Sequence, residues 1–103
     1  MNSERIKMLE QFVAEDPTDP FNRYALALEL AKSDKQKAKE IFDQLITSNP
    51  DYLPVYYQAA LLYIELSLDK EVLKIIEAGV LQAKRQNNFK ASNELKSLLD
   101  EIE

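Results

Sequence analysis

The middle of this sequence repeats itself, and that self-similarity limits its possible folds more than any other feature. Pro17, Tyr24, Ala27 and Leu28 recur as Pro50, Tyr57, Ala60 and Leu61, each identity 33 residues further on. Past the next turn the offset becomes 34, pairing Ser33 with Ser67, Ile41 with Ile75, Phe42 with Ile76 and Ile46 with Val80. The first copy is therefore one residue short. The loss falls near Lys32, in a turn, where a deletion is tolerated best. A period of this length signals stacked supersecondary units, none of which can bury its apolar face alone.

Those units are helical. Polar/apolar alternation of useful length and Asn-Gly or Asp-Gly hairpin turns are missing from the sequence, which argues against strands. Apolar residues instead recur at three- and four-residue steps: Ile6, Leu9, Val13; Ile41, Leu45, Ile46; Val72, Ile75, Ile76, Val80; and Ala91, Leu95, Leu98, Ile102. Asp19-Pro20 places a capping carboxylate before a first-turn proline, and Ser33 to Gln36 has the spacing of a capping box. Asp16-Pro17, Asn49-Pro50 and Leu53-Pro54 interrupt the pattern, and Ser67-Leu68-Asp69 and Gln86-Asn87-Asn88 supply further turns. The expected helices span about 3–14, 20–32, 34–48, 53–66, 69–86 and 88–102. Short links make consecutive helices pack antiparallel.

Composition narrows function by exclusion. There is no cysteine and no histidine among the 103 residues, so thiolate nucleophiles, the commonest general base and the usual zinc ligands are missing. The single glycine, Gly79, excludes Gly-rich phosphate cradles. A net charge of −5 disfavours nucleic acid and anionic membranes as partners. The longest apolar run, Ala59 to Ile64, is far too short for a bilayer span, and the first residues lack the apolar segment of a signal peptide. The expectation is a cytoplasmic, non-catalytic protein with no cofactor and no metal. Glu15, Asp16 and Asp19 cluster near a turn without the glycine and spacing of a calcium loop, so capping and solvation account for them. Lys32, Lys35, Lys37 and Lys39, and again Lys84, Arg85 and Lys90, are the basic concentrations. They form either a solvated face or a docking patch for an acidic peptide.

A helix-turn-helix unit of about 34 residues has the tetratricopeptide period, and the sequence resembles that family over two repeats. In the second, Tyr56 stands at the first-helix aromatic, Ala59 and Ala60 at the leucine and glycine, and Tyr63 at the tyrosine. Val72, Ile76 and Gly79 take the alanine, aromatic and alanine places of the second helix. In the first, Leu26, Ala27 and Leu30 are followed by Ala38, Phe42, Leu45 and a terminal Pro50. The departures are Arg23 at the first aromatic place, the short turn after Leu30, and Lys84 where a proline would end the second repeat. The last suggests a helix that runs past the usual stop.

The resemblance implies an all-α fold, an α-α superhelix of antiparallel helix hairpins with about six helices in a single domain over 1–103. Its parts would be an N-terminal half-repeat helix (1–18), repeat 1 (19–52), repeat 2 (53–86) and a C-terminal capping helix (87–103). Ile6, Leu9, Phe12 and Val13 would cover one end, and Ala91, Leu95, Leu98 and Ile102 the other. Ala27, Ala60 and Gly79 would mark close helix approaches, with an incidental helix bend as the other reading of Gly79. The family's first helices line a concave groove that receives peptides or partner helices. Carried onto this sequence, that groove takes Tyr24, Leu28, Tyr57, Leu61 and Glu65, unless the flanking helices cover them. Tyr24, Leu28, Tyr57 and Gln58 hold the places of the lysine and asparagine carboxylate clamp found in chaperone-binding members, so the clamp is absent and apolar contacts would dominate. The implied partner is a protein or peptide. The alternative is a self-assembling structural protein, such as a homodimer pairing apolar faces across a two-fold axis.

Overall fold

The computed structural model describes residues 2–102, so Met1 and Glu103, the ends of the expected domain, lie outside the described residues. The described residues form six α-helices and a closing 3-10 segment: α1 (Asn2–Glu15), α2 (Pro20–Leu30), α3 (Lys35–Ser48), α4 (Pro54–Glu65), α5 (Asp69–Arg85), α6 (Phe89–Ser97), then Leu98–Ile102. Contacts divide the chain between Asn49 and Pro50 into two compact units. No helix among the described residues is long and apolar enough to cross a membrane.

In the first unit α2 packs against both α1 and α3. Leu9, Leu26, Ala27, Leu30, Ala38, Phe42 and Leu45 are buried, Ala27 completely. Asp19 caps α2 by accepting the Phe21 N–H at 2.9 Å, with Pro20 in the first turn, which satisfies a donor that a helix start otherwise leaves open. The capping-box expectation needs correction: Asp34, not Ser33, caps α3, its carboxylate accepting the Lys37 N–H at 3.2 Å. Ser33 still belongs to the turn that follows α2, whereas Asp34, at φ −143° and ψ 82°, has the non-helical backbone of a cap. Phe12 also departs from expectation. It is 41% exposed while Leu9 is buried and Ile6 and Val13 are half-buried, because position 12 falls to one side of the stripe the other three form.

Glu29 is a buried carboxylate bridging three segments of this unit. Arg5 Nε of α1 lies 2.7 Å from Oε1, and Lys32 Nζ, just past α2, lies 3.2 Å from Oε2. Burial pushes the carboxyl pKa up, but hydrogen bonds from Lys32 and Arg5 and their positive charges outweigh this and hold it below its ordinary 4.5. A depressed folded-state pKa adds stability above the unfolded value, and this is lost as pH falls through the folded value. Thermal melts across the acid range should therefore show wild type losing stability below pH 4.5 more steeply than Glu29→Gln. Parallel curves would show that the carboxylate is not coupled to folding.

In the second unit α5 packs between α4 and α6, and the 3-10 segment returns against α4 and α5. Val55, Tyr56, Ala59, Ala60, Leu62 and Tyr63 of α4 are buried, and the adjoining α5 buries Val72, Ile76, Gly79 and Ala83. Leu95 and Leu98 add the C-terminal contribution, with Ala91 and Ile102 half-buried. The expected helix to 102 gives way at Leu98 to 3-10 geometry, in which tighter bonding satisfies terminal carbonyls that an α-helix end leaves open. α5 does run past the usual stop: it has 17 residues against 14 in α3. Gly79 marks a contact rather than a bend. A Cβ placed there would stand 2.8 Å from Tyr56 Cβ and 2.8 Å from Leu95 Cδ1.

The one-residue difference between the repeats has a backbone cause. Ser67 has φ +60° and closes α4 in a Schellman motif, with its own N–H bonded to Ile64 O at 3.0 Å and the Leu68 N–H to Tyr63 O at 2.9 Å. Asn87, at φ +57°, closes α5 in the same way. In the turn between α2 and α3 no residue takes a positive φ, and the Asp34 N–H bonds directly to Leu30 O. The shorter turn after α2 thus closes without a left-handed residue, whereas the longer turn after α4 uses one. Serine in that conformation is strained by roughly 1 kcal/mol relative to glycine, so Ser67→Gly should stabilise the protein by about 1 kcal/mol. A raised melting temperature checks this, and an unchanged or lowered one refutes it.

Candidate partner-binding surface

Tyr24 and Leu28 lie four residues apart on α2, and Tyr57 and Leu61 hold the same spacing on α4, so each pair shares one helix face. All four are half-buried, as is Gln58, and Glu65 at the end of α4 is exposed. Their immediate neighbours Ala27 and Ala60 are fully buried. Each helix therefore turns its alanine into the unit and leaves a tyrosine and a leucine partly open to solvent. Tyrosine suits such a place, with an apolar body and a polar tip.

In the second unit this face borders a cleft of about 180 Å³. Leu53, Pro54 and Tyr57 form one wall, from the N-terminal end of α4. Asn88, which caps α6, and Ala91, Glu94 and Leu95 of α6 form the other. Asn88 is fixed there by its capping role, its side chain accepting the Ala91 N–H at 3.0 Å. The cleft combines hydrocarbon with one amide, one phenol and one carboxylate. No group of three or more acidic, histidine or cysteine side chains arranged to hold a metal ion occurs among the described residues.

The first unit has an open hollow of about 490 Å³ lined by Arg23, Asp43, Gln44, Thr47 and Ser48. The Arg23 guanidinium donates to Ser48 Oγ at 3.2 Å and Asn49 Oδ1 at 2.6 Å. It closes the C-terminal end of α3, where a cation complements the helix dipole. In the second unit the matching Tyr56 is buried, and its hydroxyl donates to the Pro50 carbonyl. Burial and the nearby Asp51 charge raise that phenol's pKa above 10.0. One position thus anchors its unit through a cation in one copy and a phenol in the other.

No family model and no curated protein matches the sequence. Solved structures do. The solution NMR structure of a tetratricopeptide repeat domain protein from Salinibacter ruber is similar at 34% identity and a TM-score of 0.79, over 85% of this chain and 90% of that one. This chain belongs to the tetratricopeptide repeat family. A crystal structure of a tetratricopeptide repeat domain protein from the same organism is similar at 33% identity and a TM-score of 0.73, over 81% of this chain and 94% of that one. Family membership carries the general role of a protein-interaction module. The tetratricopeptide pattern led to Tyr57, but not to the α6 wall of the cleft. Asn88, Ala91 and Glu94 recur every three residues, a spacing that places them on one side of α6, yet nothing local distinguishes a helix that lines a cleft from one that only caps a stack.

Proposed function

We propose that this tetratricopeptide protein is a non-catalytic binding module whose partner, a peptide or helix of another protein, contacts Tyr24 and Leu28 on α2 and Tyr57, Leu61 and Glu65 on α4. The repeat layout of the reading is 19–52 and 53–86, flanked by a half-repeat helix over 1–18 and a capping helix over 87–103. The observation that carries it is the partial exposure of Tyr57 beside a cleft on a helix whose adjacent Ala60 is fully buried. A preformed helical surface limits the ordering cost of association to the incoming segment. With Tyr24, Leu28, Tyr57 and Gln58 at the clamp places, apolar contact rather than carboxylate capture supplies the affinity.

Leu61→Glu tests the surface. A charge on a half-exposed side chain keeps much of its hydration, whereas a charge in the core would be buried unpaired. The variant should keep its helical circular-dichroism spectrum and lose partner retention in an affinity capture run beside wild type. Loss of the fold would assign Leu61 to the core, and retention of both fold and partner would remove it from the site. Light-scattering mass separates the rival reading, because a dimer dispersed by the same substitution would make the partner a second copy of this chain.

A further inference from the structure

We propose that the outward side of α5 is a second docking surface, one that takes an acidic amphipathic helix from a partner protein. α5 buries Val72, Ile75, Ile76, Gly79 and Ala83. At 3.6 residues per turn the opposite side carries Leu73 and Leu81, which are 43% and 50% exposed. Four cations surround these leucines, Lys70, Lys74, Lys84 and Arg85, against two carboxylates, Asp69 and Glu77, and all six are exposed. None of the four cations is paired with a carboxylate among the described residues. A chain with net charge −5 thus concentrates an excess of two positive charges around two exposed leucines.

The same side of α3 in the first repeat is a built-in comparison. Thirty-four residues earlier, the places of Lys70, Leu73, Lys74, Glu77 and Leu81 hold Gln36, Lys39, Glu40, Asp43 and Thr47. That face has one cation, two carboxylates and no leucine, so the α5 pattern is not a requirement of the repeat. Helix stability does not demand it either. Lys84 and Arg85 complement the dipole at the C-terminal end, but Lys70 sits in the first turn, where a cation is unfavourable, and faces a like charge at Lys74.

Charge complementarity selects the occupant. Aspartate and glutamate on a partner helix would meet the lysines, while its apolar side covers the leucines, which lie about 12 Å apart along α5. A lipid surface fits less well, because this face has no aromatic anchor and the acidic remainder of the chain is repelled by anionic headgroups. The surface is separate from that of Tyr57 and Leu61, since α5 turns its other side to α4 and α6.

A display library of peptides about 16 residues long, roughly 24 Å when helical, can be selected on the full chain and counter-selected on the Leu73→Ser/Leu81→Ser variant. The expected winners are net acidic with apolar residues at helical spacing. Measured by fluorescence anisotropy, their binding should weaken about tenfold in Lys74→Glu, weaken also at high salt, and stay unchanged in Leu61→Glu. Lys74 is exposed, so its variant keeps the test sound if the double-serine chain misfolds; circular dichroism verifies each fold. The proposal is overturned if selection yields no peptide sensitive to Lys74→Glu, or if the winners carry no acidic bias. It is equally overturned if only phosphatidylserine vesicles bind through this face, or if light scattering shows a second copy occupying it.

Discussion

Gly79→Ala should destabilise the protein even though alanine is the better helix former. The exchange gains about 1 kcal/mol of helix propensity. Against that, the new methyl would stand 2.8 Å from Tyr56 Cβ and 2.9 Å from Tyr56 Cγ, atoms close to the α4 backbone that cannot swing aside, as well as 2.8 Å from Leu95 Cδ1. Overpacking of this kind costs about 1–3 kcal/mol, and α4 and α6 would both have to move to relieve it. Gly79→Val adds further volume without the propensity gain and should lower stability by about 3 kcal/mol. Denaturant melts of the two variants provide the measurement. A stabilised Gly79→Ala chain would show that α4, α5 and α6 do not approach so closely in solution.

Leu95→Ala should cost about 2–5 kcal/mol, the usual range for a buried leucine truncated to alanine, and Leu98→Ala a similar amount. Both leucines are buried, and Leu95 lies against the Gly79 backbone. For a domain of this size, with total stability of about 5–15 kcal/mol, either loss should lower the melting temperature by about 10 °C or more. Deleting residues 88–103 removes both side chains, exposes apolar surface on α5 and should produce a chain that melts lower still or aggregates. If Leu95→Ala melts like wild type, the C-terminal helix is not part of the second unit's core.

Much of the fold was legible in the sequence because it rests on short-range chemistry. Helix existence follows from apolar spacing, the start of α2 follows from Asp19 as a cap, and the repeat follows from the recurrence of Tyr24, Ala27 and Leu28 as Tyr57, Ala60 and Leu61. The same chemistry misplaced one cap by a single residue, since Ser33 and Asp34 are both competent and only the backbone, which leaves the turn at Asp34, decides between them.

The candidate surface was legible only in part. Its tyrosines and leucines could be named from the repeat, but their half-burial depends on packing among helices far apart in sequence. The sequence by itself determined the helices, their repetition and the small residues Ala27, Ala60 and Gly79. Tertiary structure decided that Gly79 abuts Tyr56 and Leu95, that α6 walls a cleft beside Tyr57, and that Glu29 is buried between Arg5 and Lys32. Propensities and caps act within a turn or two of helix, whereas clefts and buried charges arise where separate helices meet, and there one residue's environment is made by residues its neighbours in sequence do not specify.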